Sequence, residues 1–175
     1  YWVIGMMGVM LAVLLLGSVF FQGLNKFEYR GLSFNKEKFG EIPVYHHSYF
    51  YDLQGQQYKY NLFLRGDPRE NNVPITGRIV YQSLEKYTYV SVNGTGLEQC
   101  PQSALAIGNL AAFLTDNGIS VKGASPDEET AVLSKVPHVT CENTVDRVVI
   151  IIQAGNETKI TKQGEMCHII SVADC

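Results

Sequence analysis

Four cysteines, Cys100, Cys141, Cys167 and Cys175, hold most of the reactive chemistry in this sequence. They are widely spaced, with no Cys-x-x-Cys pair and no histidine at finger spacing, so they point away from structural zinc and toward two disulfides. Of the three pairings four cysteines allow, Cys100–Cys141 with Cys167–Cys175 is expected. The second would close a short terminal loop, and the first would tie a helix start to the edge of a central strand. Four buried free thiols in a reducing compartment are the competing reading.

Cys167-His168 is the one place where a nucleophile and a base adjoin, but neighbours on a strand point to opposite faces and do not pair. His46-His47 fails as a metal pair for the same reason. His138 follows Pro137 in an expected loop and has no evident partner. There is no Gly-x-Ser-x-Gly elbow and no phosphate loop, and Gly94-Thr95-Gly96 is too short for a dinucleotide fingerprint. No catalytic residue, metal ligand or cofactor is therefore expected, and the chain reads as a non-enzyme. Asp127, Glu128 and Glu129 have the look of a cation site. They are better explained as the first turn of a helix opened by a capping box, Ser125-Pro126-Asp127-Glu128. Asn93-Gly-Thr95 and Asn156-Glu-Thr158 are glycosylation acceptor triplets. With 14 basic against 17 acidic side chains, the electrostatic attraction on which nucleic-acid binding rests is missing.

The placement of these residues starts with residues 1–25, which contain no charged side chain. A helix of about 20 such residues spans a hydrocarbon layer of ~30 Å, or packs into an equally apolar bundle. Tyr1/Trp2 and Phe20/Phe21 bracket the run as interfacial aromatics do. A cleavable signal peptide fits less well, because there is no basic leader, the apolar run is too long and no small-residue cleavage site precedes Lys26. Gly5, Gly8 and Ala12 form a small-residue face on which a second helix could pack. Lys26, Arg30, Lys36 and Lys38 favour a cytoplasmic domain by the positive-inside rule, whereas the cysteines and acceptor triplets favour the outside. The cysteines decide the expectation: a single span with residues 26–175 as one extracytoplasmic mixed α/β domain around one main core.

Ten tyrosines and eight phenylalanines fall largely in the first half of that domain. Phe27 to Phe34 alternates as a half-buried strand, and Asn35 to Gly40 reads as a turn. Ile42–Leu53 and Gln57–Arg65 form a Tyr-rich hairpin around Gln54-Gly55-Gln56. Gly66 to Pro74 is turn chemistry, expected as an exposed loop. A short strand near Ile75–Tyr81 and a better one at Tyr87–Val92 follow. Pro101 to Asn117 suits a largely buried helix stopped by Asn117-Gly118, and a strand at Ile119–Gly123 completes a β-α-β unit. Arg147–Gln153 is the expected central strand, and Thr158–Lys162 with Met166–Val172 extends it into a three-stranded meander. The fold class is α+β, an N-terminal hydrophobic helix followed by Tyr-rich antiparallel strands, a β-α-β unit and the meander.

Across Lys26 to Phe34, Glu41 to His46 and Asp67-Pro-Arg-Glu-Asn-Asn-Val-Pro74, the chain resembles single-span exported membrane proteins of small-genome symbiotic archaea. The resemblance runs nearly the whole length and includes the four cysteines. It implies location and general plan, with no activity or ligand attached, and related chains are expected to continue past Cys175 into another helix. The expected role is a non-catalytic cell-envelope protein whose exposed domain meets an envelope partner or a second copy, with membrane lipid or neighbouring hydrophobic helices around its anchor. The alternative is a subunit of an archaeal type IV pilin-like filament, its N-terminal helices forming the filament core.

Overall fold

The computed structural model describes residues 2, 5–13, 25–53, 55–80, 87–144 and 146–173. By internal contacts the chain divides into two compact units, 1–72 and 73–175, a boundary inside the stretch read from sequence as one domain. The architecture is mixed α+β, with a four-stranded and a six-stranded sheet.

In the first unit a helix, α1, covers residues 5–13. Among the described residues no helix is long and apolar enough to cross a membrane. Most of the span expected over residues 1–25 lies outside them. Four strands follow: β1 (Lys26–Tyr29), β2 (Leu32–Phe39), β3 (Ile42–Leu53) and β4 (Gln56–Leu64), in the order β1-β2-β3-β4 and all antiparallel.

The single strand expected from Phe27 to Phe34 is instead a hairpin. Arg30 and Gly31 sit at φ 51° and 78°, the pair of positive values a two-residue turn of matching twist requires. Such a turn shifts side-chain parity by one, and the sequence carries that shift: Phe27 and Tyr29 are odd, Leu32 and Phe34 even, yet they oppose one another in register. Asn35 to Phe39, expected as a turn, continues β2. The reversal comes at Gly40, φ 65°, where Phe39 pairs with Ile42.

The second unit comprises β5 (Ile75–Thr76), β6 (Tyr87–Val92), α2 (Ser103–Asp116), β7 (Ser120–Ala124), α3 (Glu128–Ser134), β8 (Val149–Ala154), β9 (Lys159–Gln163) and β10 (Cys167–Val172). Its strand order is β5-β9-β10-β8-β6-β7. β6, β7, β8 and β10 run parallel, and β9 is antiparallel to β10. The β-α-β unit is present, but the meander is not, because β10 inserts between β8 and β9.

β8 is covered on both faces, which explains its unbroken β-branched run. Ile150 and Ile152 pack with Val90, Leu114 and Ile119 against α2. Val149 and Ile151 pack with Val139 and Cys167 on the other side. α2 is less buried than expected: Leu114 alone is fully buried, while Leu105 remains 59% exposed. Its end is a Schellman turn, with Gly118 at φ 80° and the Ile119 N–H donating to the Leu114 carbonyl at 3.0 Å. The expected capping box is also displaced. Asp127, not Ser125, caps α3, its carboxylate accepting from the Thr130 N–H at 2.8 Å, and the Ser125 hydroxyl accepts from the Asp127 N–H.

Candidate functional site

The Tyr-rich hairpin builds its surface from register. Leu53 pairs with Gln56, so Tyr49 falls opposite Tyr60 and Tyr51 opposite Tyr58, all on one face. Their ring centroids are 5.5 and 5.7 Å apart. His47 stacks on Tyr49 at 5.8 Å and touches Phe34 at 5.3 Å, and Phe34 stacks on Phe27 at 5.6 Å. A continuous strip of rings therefore crosses all four strands.

Near Phe27 the strip is clasped by the segment expected as an exposed loop. Asp67 caps a 3₁₀ turn, Pro68–Glu70, in which Pro68 is buried. Arg69 forks onto the Asp67 carboxylate, with Nη2 donating to Oδ2 at 2.6 Å, and lays its guanidinium 4.0 Å from the Phe27 ring centre. That hydrogen bond holds the Asp67 pKa down to about 2, so the clasp keeps its charges through the ordinary acid range.

The opposite face of the same sheet is polar with aromatic islands. His46 joins Glu37 (Nδ1 to Oε1, 3.0 Å) and Asn61 (Nε2 to Oδ1, 3.2 Å) and stacks on Phe63 at 4.6 Å. His47 points the other way, with Nδ1 donating to the Ser33 carbonyl at 2.8 Å, so the two histidines do not converge. Neither the Asp67–Arg69–Phe27 clasp nor the His46 bridge was anticipated. The parity of the two-residue turn between Phe39 and Ile42 is the signal that would have placed the His46 bridge.

In the second unit a disulfide joins Cys141 and Cys167, with Cα atoms 5.4 Å apart, and this overturns the expected pairing. The cause is the parallel neighbourhood of β10 and β8. Cys167 opens β10 opposite Val149, beside the segment that leads from Cys141 into β8. Cys100, buried at the start of the turn before α2, is also disulfide-bonded, and the one further cysteine, Cys175, lies outside the described residues.

His168 faces away from Cys167 as the strand period demands, and is 2% exposed. Its Nε2 accepts the Val80 N–H at 2.9 Å, and burial pushes its pKa below the usual 6.5. The folded chain therefore binds fewer protons here than the unfolded chain once pH falls below 6.5. This contribution to stability is complete above that pH and is lost as pH drops toward the folded value. The urea midpoint is expected to fall between about pH 7.5 and pH 5, and His168→Gln, which keeps an acceptor for Val80 but does not titrate, should flatten the fall. An undiminished slope in the variant would assign the proton to another group.

A crevice of about 370 Å³ in the second unit is lined by Asn93, Asp127, Thr140, Glu142, Gln153 and Gln163 among others. No cation lines it, so it suits neutral hydrogen-bonding groups better than anions. Asp127 is committed to its cap, which lowers its pKa.

At the amino end of β6, Tyr87 is flanked by Lys122 Nζ at 3.7 Å and by Arg147, which donates to its hydroxyl, with Tyr89 edge-on at 5.3 Å. His138 meets the Pro126 carbonyl at 3.1 Å. Among the described residues no three His, Cys, Asp or Glu side chains converge as metal ligands.

Of the acceptor asparagines, Asn156 is exposed in the β8–β9 turn. Asn93 is half-buried, its side chain accepting from the Thr95 N–H at 3.1 Å. Gly5 and Gly8 have open space where a Cβ would stand. No family model, curated protein or solved structure matches the chain.

Proposed function

We propose that this chain is a non-catalytic, membrane-anchored cell-envelope protein, held by the hydrophobic segment of residues 1–25, whose extracytoplasmic portion contacts another protein through the Tyr-rich hairpin and the Asp67–Pro74 clasp. The observation that carries the reading is the character of α1: Met6, Val9, Met10 and Val13 are all exposed, in a segment where no charge occurs before Lys26. Such a surface is at home in lipid or among other apolar helices. The Cys141–Cys167 disulfide supports an oxidising location, and the resemblance to exported archaeal proteins points the same way. Exposed Phe39, Phe50 and Phe63 on the polar face of the first sheet support a partner-binding role.

The second reading, a pilin-like filament subunit, is favoured by the open space at Gly5 and Gly8, which lets helices approach closely. Shearing cells and separating the supernatant from the membranes distinguishes the two. The chain is expected in the membrane pellet and to resist alkaline carbonate. Ordered fibres containing it in the sheared supernatant would replace this reading with the filament, and release by carbonate would remove the anchor.

A further inference from the structure

We infer that β4 is the site at which a second copy of this chain adds, its β4 running antiparallel to the first about a two-fold axis through Tyr60. Among the described residues the only strand partner of β4 is β3, which leaves β4 as an edge. Natural edges are blunted by shortness, proline or charge. The edges of the other sheet obey this: β5 has two residues, and β7 has five with Lys122 among them. β4 does not, being nine residues long with no proline and Lys59 as its single charge.

The residue pattern selects both the partner and the register. A two-fold axis perpendicular to the sheet keeps each face continuous, so residues of equal parity must oppose. An axis through Tyr60 pairs all nine residues, from Gln56 against Leu64 to Leu64 against Gln56, and sets Lys59 against Asn61 of the second copy. It also sets Tyr58 against Leu62, extending the aromatic strip across the join. An axis through Lys59 would oppose like charges, which destabilises. An axis through Asn61 would leave Gln56 and Gln57 outside the ladder. The inference does not depend on whether the chain is anchored in lipid.

Sedimentation equilibrium of the full chain in detergent tests it with Asn61→Lys and with Lys59→Glu/Asn61→Lys. Both variants lose the Asn61 contact to His46 equally, so that loss cancels in their comparison. Asn61→Lys opposes two lysine pairs and is expected to weaken the dimer by about two- to thirty-fold, whereas the double variant opposes two Glu–Lys pairs and should recover that loss or exceed it. A chain that stays monomeric throughout overturns the inference. Equal dissociation constants for the two variants also overturn it, since they would place the dimer contact elsewhere, for example on the helix face around Gly8.

Discussion

Replacing Cys141 and Cys167 together with alanine is expected to lower the stability of the 73–175 unit by about 3 kcal/mol. The bridge joins positions 26 residues apart, and closing a loop of that size removes roughly 3.5 kcal/mol of chain entropy from the unfolded ensemble. Its position adds a second reason. One face of β8 is covered by α2, but the other is covered by the irregular segment around Val139, which is held by few directional contacts. These include the Ser91 hydroxyl donating to the Val139 carbonyl at 2.8 Å, the exchange of backbone bonds between Ser125 and the Pro137–Val139 stretch, and the His138 ring donating to the Pro126 carbonyl at 3.1 Å. Without the bridge that cover relies on these bonds and on the packing of Val139 to stay on Val149 and Ile151. Guanidinium unfolding followed by far-ultraviolet dichroism measures the loss, and each single alanine variant should match the double, since either one opens the loop. A loss below about 1 kcal/mol would mean that the cover is held by packing alone.

The parts of this fold that were legible in the sequence are those whose signal is local. Asn117-Gly118 ends a helix because glycine reaches positive φ without strain. The Tyr-rich hairpin is written into two alternating runs around Gly55. The run from Val148 to Ile152 announces a strand covered on both faces. What was illegible depends on which strand lies beside which. β9 and β10 have the right residues for a meander, and nothing within them says that β10 prefers β8 as a parallel neighbour. The disulfide error follows from that one: sequence proximity favoured Cys167 with Cys175, whereas the sheet set Cys167 beside the approach to β8 and so beside Cys141. The misread hairpin at Arg30-Gly31 is different in kind. There the parity break between Tyr29 and Leu32 was present in the residues, and the alternation on either side of it masked it. The clasp on Phe27 was hidden because proline and charge in Asp67 to Pro74 read as solvent-facing, although Pro68 is buried and Arg69 spends its charge on Asp67.

Leu114→Ala should be the most damaging single truncation in α2, costing about 2–5 kcal/mol, whereas Leu105→Ala in the same helix should cost well under about 1 kcal/mol. The two leucines have the same chemistry and differ in burial, 2% against 59% exposed. Leu114 stands in the cluster with Val90, Ile119 and Ile150, so shortening it leaves a hole between α2 and the two strands it crosses. Partly buried Ile107, Leu110 and Phe113 cannot close that hole without drawing the helix inward. The position also carries the helix end, since the Leu114 carbonyl accepts from both Asn117 and Ile119. Ile119, 8% exposed, packs into the same cluster directly after that turn, so a shift of the helix would strain the entry to β7. Urea unfolding of the two variants side by side gives the comparison. A Leu105 variant as damaged as the Leu114 variant would show that the exposed side of α2 is itself covered in the native protein, and the burial difference would then cease to explain the helix.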